Sequence, residues 1–191
     1  MKQVVVVGSG ISGLSCAIEC SRLGLQTALV SPYPPERAQS VMAAGGINAV
    51  GQSPDSIDCH VEDTIRGGAF LADEEAVRGL CSSAPEILEW LEQIGVVFTR
   101  DALGKADRRA FGGQSYSRTA YSGASTGKQI VTALIRQARR YESEGILKRY
   151  GGYQFHSGLI KDGVCYGAVF YDMKENRMVP FYGDALVVAT G

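Results

Sequence analysis

Four consecutive valines, Val4-Val5-Val6-Val7, run directly into Gly8-Ser9-Gly10-Ile11-Ser12-Gly13. A β-branched run without polar alternation is the pattern of a strand buried on both faces, as in a parallel sheet. G-x-G-x-x-G immediately after it permits a tight turn, close approach of the backbone to a pyrophosphate, and close packing of the next helix on the strand. The N–H groups opening that helix attract phosphate. Residues 13–23 place Leu14, Ala17 and Ile18 on one helical face, and Gly24 stands where a C-cap belongs. Residues 26–31 follow as a second apolar strand, which completes a βαβ unit. Gly8, Ser9, Gly10, Ile11, Ser12 and Gly13 are therefore candidate contacts for the phosphates of a dinucleotide. The same residues also fit an ordinary strand–turn–helix with glycines in its turn. In many such units an acidic residue ends the second strand and binds a ribose. Here Ser31 holds that position, and a hydroxyl offers a neutral hydrogen bond instead of a charged acceptor.

The 191 residues suffice for one real core, in one domain or one and a half. A net charge of −1 gives no reason to expect a nucleic acid or an anionic membrane surface as partner. No apolar run approaches the ~18 residues of a membrane span, and Val4 to Val7 is too short for a signal peptide. The five cysteines, Cys16, Cys20, Cys59, Cys81 and Cys165, are scattered, odd in number and without a C-x-x-C pair. They read as small hydrophobes of a reduced, cytoplasmic protein, not as a disulfide or metal set. Cys16 and Cys20 share a helix face, but His60 and His156 are remote from them in sequence, so packing is their expected role.

Pro32-Tyr33-Pro34-Pro35 forces an irregular loop. The following stretch, Ser40 to Ala49, has small side chains around Gly45-Gly46. It lets backbone approach a flat or bulky group, or simply turns between helices. Helices are expected over 55–66, 74–81 and 83–93, the last with Ile87, Leu88 and Leu91 on one face. A short strand is expected over 96–99. Residues 101–114, with Lys105, Arg108, Arg109 and Gly112-Gly113, read as an exposed loop. Residues 126–141 form a further helix with Ile130, Ala133, Leu134 and Ala138 facing inward. Arg136, Arg139 and Arg140 lie toward its C-terminus, where cations suit the helix dipole. From 146 onward the pattern changes to strands, over 146–150, 154–161, 164–171, 178–182 and 186–189. Asp162-Gly163 marks a hairpin and Asn176 another turn. The last apolar run, 185–189, is expected to return beside 3–7 and 26–31. The expected fold is α/β and Rossmann-like, with a central parallel sheet, flanking helices and an antiparallel β-meander over 153–182.

Taken in order, these segments resemble the FAD-binding region of the succinate dehydrogenase / fumarate reductase flavoprotein family, which includes L-aspartate oxidase. Gly8-Ser9-Gly10-Ile11-Ser12-Gly13 is similar to the family's dinucleotide turn. Residues 40–49 resemble its flavin-facing S-x-x-A-x-G-G-I-x-A loop. Asp55-Ser56-Ile57-Asp58-Cys59-His60-Val61-Glu62-Asp63-Thr64 resembles the segment after that loop, in wording closest to L-aspartate oxidase. Arg118-Thr119-Ala120-Tyr121 with Thr126-Gly127 is similar to a family helix start, and Val187-Val188-Ala189-Thr190-Gly191 to its final FAD-contacting strand and turn.

The resemblance implies FAD, with its pyrophosphate at Gly8 to Gly13 and its adenosine ribose at Ser31. It places Ser40, Ala44, Gly45 and Gly46 on the flavin side, Phe155 against adenine, and Ala189, Thr190 and Gly191 near the ribityl–pyrophosphate. The implied chemistry is hydride transfer between flavin and a small dicarboxylate; the alternatives are an L-aspartate oxidase-type flavoenzyme and a non-catalytic dinucleotide-binding module. The implied partner is an iron–sulfur or other electron-transfer protein, which could hold a cytoplasmic enzyme at the inner face of a membrane. Three departures qualify this. Gln39 stands where complex-linked members carry the histidine that bonds FAD covalently; an amide is no substitute for that nucleophile, so FAD is expected to be non-covalent. Covalent linkage raises flavin potential in this family, and its loss favours reduction of an acceptor over succinate oxidation. Ala44 replaces the Gln of many members' Q-G-G. The chain stops at Gly191, before the family's capping domain and its catalytic arginine, so it is expected to be an N-terminal piece of a longer protein. On that reading no catalytic residue lies here, and the uncovered apolar surface favours self-association.

Overall fold

The computed structural model describes residues 2–191. Its elements are β1 (Gln3–Val7), α1 (Ile11–Arg22), β2 (Gln26–Ser31), β3 (Ile47–Asn48), α2 (Ile57–Gly67), α3 (Glu74–Gln93), β4 (Arg108–Arg109), β5 (Thr119–Ala120), α4 (Thr126–Ser143), β6 (Leu147–Gly151), β7 (Tyr153–Lys161), β8 (Val164–Asp172), β9 (Arg177–Tyr182) and β10 (Ala185–Val188). They fall into two compact units. One runs to Met42 and resumes over Ile130–Gly191; the other is Ala43–Gln129.

The first unit is built on a parallel sheet of order β10-β1-β2-β6. Val4 to Val7 are all buried, as a central strand covered on both faces must be. Val5, Val7, Ala28 and Val30 form one core with Ala168 and Phe170 of the meander β7-β8-β9. Tyr150, Tyr153, Phe155 and Phe181 close this core, and their rings meet edge-on, with Tyr150 and Phe181 centroids 4.9 Å apart. α1 buries Leu14, Ala17 and Ile18, and Gly24 (φ +75°) turns the chain out of it. The β7–β8 hairpin turns at Asp162 and Gly163, both at positive φ, as a two-residue type I′ loop requires. The expected neighbours β10, β1 and β2 are adjacent. β6 also joins this sheet, parallel to β2 through Thr27↔Leu147. Its burial is one-sided, with only Leu147 fully covered, so as an edge strand it carries no continuous apolar run.

In the second unit, Ser56 caps α2 by accepting the Cys59 N–H at 3.2 Å, and Asp73 caps α3 through Ala76 N–H at 2.8 Å. α3 is one helix where the sequence suggested two. Pro85 lies inside it and removes one backbone bond. The buried stripe Val77, Cys81, Leu88 and Leu91 continues across that point, so packing carries the helix through. Ile87 falls off the stripe and is 45% exposed, against expectation. Residues 96–99 form no strand, although Val96 and Phe98 are buried. The loop expected over 101–114 contains β4, which pairs with β5 in the antiparallel sheet β3-β5-β4. In α4, Ile130, Ala133, Leu134 and Ala138 are buried, as their spacing predicted.

Candidate functional site

The C-terminal ends of β1, β2 and β10 open on a cavity of about 900 Å³ in the first unit. That position, beyond the carboxyl ends of parallel strands, is where open α/β sheets hold ligands, and the volume is ample for a cofactor. The three glycines of the turn have different jobs. Gly8 sits at φ +103°, and a Cβ there would be driven into the Ala189 carbonyl, 2.8 Å from its carbon. A Cβ on Gly13 would strike the Gly8 carbonyl in the same way. These two are demanded by the protein's own backbone. Gly10 is at an ordinary φ of −74°, and its Cβ would meet only the Ser40 hydroxyl, at 3.2 Å. Its missing side chain leaves cavity space.

Gly10 gives α1 no side-chain cap, and no acidic residue occupies the first turn, so the positive end of the helix dipole is left at the cavity. Ser40 Oγ accepts the Ile11 N–H at 3.2 Å. The loop after β2 is anchored at Tyr33, whose carbonyl accepts from Ser31 Oγ at 2.7 Å and Ser9 Oγ at 3.2 Å. Among the described residues no acidic side chain lines the cavity, and the one charged side chain in its lining is Arg37, stacked 5.2 Å over the Tyr33 ring. Of the residues expected to bind a dinucleotide, Gly8 to Ser12, Ser31, Ser40, Phe155 and Ala189 to Gly191 all line this one cavity. Gly13 supports it from behind. His156 is exposed, with Nδ1 3.0 Å from Ser157 Oγ. Arg37 and Gln39 are also part of the lining. Arg37 was missed as a site residue, although it is the lone cation between β2 and the glycine loop.

Ala44, Gly45 and Gly46 belong to the second unit. Gly46 is at φ +121°, and a Cβ there would lie 2.5 Å from the Ala120 carbonyl. The Phe111 ring lies 3.5 Å from where a Gly45 Cβ would stand. Behind this loop is a network the sequence did not announce. Arg118 is wholly buried and bonds Asp55 through Nη2 at 2.7 Å and Nε at 3.0 Å, and Asp63 through Nη1 at 2.6 Å. Its carbonyl accepts the Ala49 N–H at 3.1 Å. Burial alone would raise the Asp63 pKa. The Ser115 N–H and hydroxyl and the Arg118 guanidinium outweigh it and hold the value at about 2. His60 is buried, and its Nδ1 has no hydrogen-bond partner. Burial first, then the Arg118 charge, hold its pKa below the ordinary value.

The family model described as FAD binding domain matches residues 3–191. The succinate dehydrogenase flavoprotein subunit of Bacillus subtilis is 38% identical over 192 residues, covering 98% of this chain and 33% of that protein. The fumarate reductase flavoprotein subunit of a Serratia species is 32% identical over 190 residues, covering 98% of this chain and 31% of its own length. Among solved structures, Mycobacterium smegmatis Sdh1 in complex with UQ1 superposes with a TM-score of 0.94 at 31% identity, over 100% of this chain and 34% of that one. The chain spans about a third of the length of the curated relatives it matches.

Proposed function

This chain belongs to the FAD binding domain family, and we propose that it is the cofactor-binding part of an oxidoreductase that moves hydride between flavin and a small dicarboxylate. FAD is the cofactor. When bound it supplies the redox chemistry, and the protein's share is binding, orientation and electrostatics. The observation that carries the reading is the cavity at the ends of β1, β2 and β10. It gathers the dinucleotide turn, the β2 end and the last three residues in one acid-free lining.

The turn Gly8 to Gly13 holds the pyrophosphate at the N-terminus of α1, and Arg37 opposes its charge. Ser31 reaches the adenosine ribose, Phe155 the adenine, and Ala189 to Gly191 the ribityl–pyrophosphate. Ser40 orders the start of α1, and with Ala44, Gly45 and Gly46 belongs to the flavin side. Gln39 has no nucleophile with which to bond flavin, so the cofactor is held non-covalently. That favours reduction of an unsaturated acceptor over succinate oxidation. The dicarboxylate and the proton donor are contacted by other parts of the parent protein. Its electrons pass through an iron–sulfur or comparable partner. Among the described residues no helix is long and apolar enough to cross a membrane, and membrane association of the parent would run through partner subunits.

Gly10 provides the test. Its φ admits any residue and a Cβ there would press only on the end of the Ser40 side chain, so Gly10→Val is expected to leave the fold intact while filling phosphate space. Titration of the 191-residue chain with FAD and with ADP, followed by calorimetry, is expected to show binding of both to the parent and of neither to G10V, with unchanged circular dichroism. FAD or ADP binding retained by G10V would overturn the site.

A further inference from the structure

Arg109, on β4, directs one nitrogen at two consecutive carbonyls: Nη2 donates to Ala44 O at 2.8 Å and to Gly45 O at 2.5 Å. Its guanidinium lies 4.4 Å over the Tyr121 ring and 5.9 Å from the centre of Phe111. Its Nε is buried and has no hydrogen-bond partner. Among the described residues no carboxylate forms an ion pair with it. The cation is held by carbonyl oxygens and ring faces, and the Asp107 carboxylate in its surroundings is bonded to the hydroxyl at the far end of the Tyr121 side chain.

Peptide geometry then fixes the other side of the loop. The 44–45 and 45–46 bonds are trans, and in a trans peptide the N–H points opposite to the carbonyl it is bonded to. With both carbonyls turned to Arg109, the N–H groups of Gly45 and Gly46 point away from it. Neither donates a hydrogen bond to any described residue. Two adjacent, unused donors backed by a cation form a patch suited to negative charge.

We propose that Arg109 is a positioning residue that aims the Gly45 and Gly46 amides at the flavin and makes that contact electropositive. The consequence is tighter binding of reduced FAD, the more negatively charged redox state, than of oxidised FAD. This rests on the reading that the glycine loop faces the flavin. A purely structural Arg109 would weaken both redox states alike, and the ratio of the two affinities separates the cases.

The experiment measures dissociation constants of oxidised FAD, of dithionite-reduced FAD under anaerobic conditions, and of ADP, for the 191-residue chain, Arg109→Met and Arg109→Lys. In R109M the preference for reduced over oxidised FAD is expected to fall about tenfold, equivalent to about 30 mV for a two-electron couple. ADP affinity is expected to stay unchanged, and R109K to lie between R109M and the parent because it keeps the charge. An unchanged ratio in R109M with ADP binding intact overturns the proposal. If R109M loses ADP as well, Arg109→Gln, which keeps a donor without the charge, decides: a lowered ratio supports the proposal and a parental one overturns it. A parent chain that binds FAD no more tightly than ADP would instead remove the flavin-facing reading, and this inference with it.

Discussion

At the scale of single residues, the turn glycines were legible because their spacing directly after an apolar strand is a local pattern, even though the crowding at Gly8 comes from Ala189 at the far end of the chain. Gly8 and Gly13 are fixed by backbone crowding, and Gly10 by the space it leaves. Arg118 was not legible. Its carboxylate partners lie 63 and 55 positions away, and no local pattern pairs groups across such a distance. Arg37 falls between these cases, because its neighbours in sequence form the cavity but its solitude there is visible only in space. That solitude gives a prediction. An anion held at the N-terminus of α1 would meet one charged side chain, Arg37, and no acidic side chain among the described residues lining the cavity. Arg37→Gln is expected to weaken ADP binding about tenfold, the scale of one charge-assisted hydrogen bond. It is also expected to flatten the salt dependence of binding and to leave adenosine binding unchanged. Equal losses for ADP and adenosine would show that Arg37 only props up the loop.

At the scale of elements, strands and helices with a strong period were readable, and those decided by tertiary contact were not. α4 follows its 3.6-residue stripe. α3 crosses a proline because its stripe continues, and β3, β4 and β5 are two-residue strands that exist only through their pairing with one another. The Asp55–Arg118–Asp63 network ties the segment just before α2 and the middle of α2 to the residue preceding β5, and this cross-link sets a pH profile. Asp63 is held at about 2 against an ordinary 3.8. A lowered carboxylate pKa stabilises the fold above the ordinary value, and that contribution is lost as pH falls from about 4 toward about 2. The His60 pKa is lowered from 6.5 by burial. Its unfolded form takes up a proton first, so stability also declines as pH drops below about 6.5. Urea midpoints measured across pH 8 to 3 are expected to fall in two stages. His60→Gln should remove the upper one. Asp63→Asn should remove the lower one, at a cost of about 3–5 kcal/mol for leaving a buried cation short of a partner. A single stage that both variants leave in place would show that neither group titrates in this way.

At the scale of the whole molecule, the sequence carried the parallel sheet, the meander and the place of the last strand, because buried strands and tight turns are written locally. It did not carry the division into two units or the position of β6, since both depend on long-range contacts along a chain that leaves the first unit after Met42 and re-enters it at Ile130. A cofactor bound by such a chain without a covalent bond must stabilise it by mass action. The gain follows RT ln(1 + [L]/Kd), which is about 2.7 kcal/mol when free ligand is 100-fold above Kd. The melting temperature is therefore expected to climb steadily with added FAD, and to return to the starting value after gel filtration into FAD-free buffer. G10V should melt with the unliganded parent and respond to neither FAD nor ADP. Gln39 makes the chemical counterpart: acid precipitation is expected to leave all flavin absorbance in the supernatant. A thermal shift that survives gel filtration, together with flavin fluorescence travelling with the denatured chain on a gel, would mean that a residue other than Gln39 forms the bond, and the assignment of acceptor reduction would lose its chemical basis.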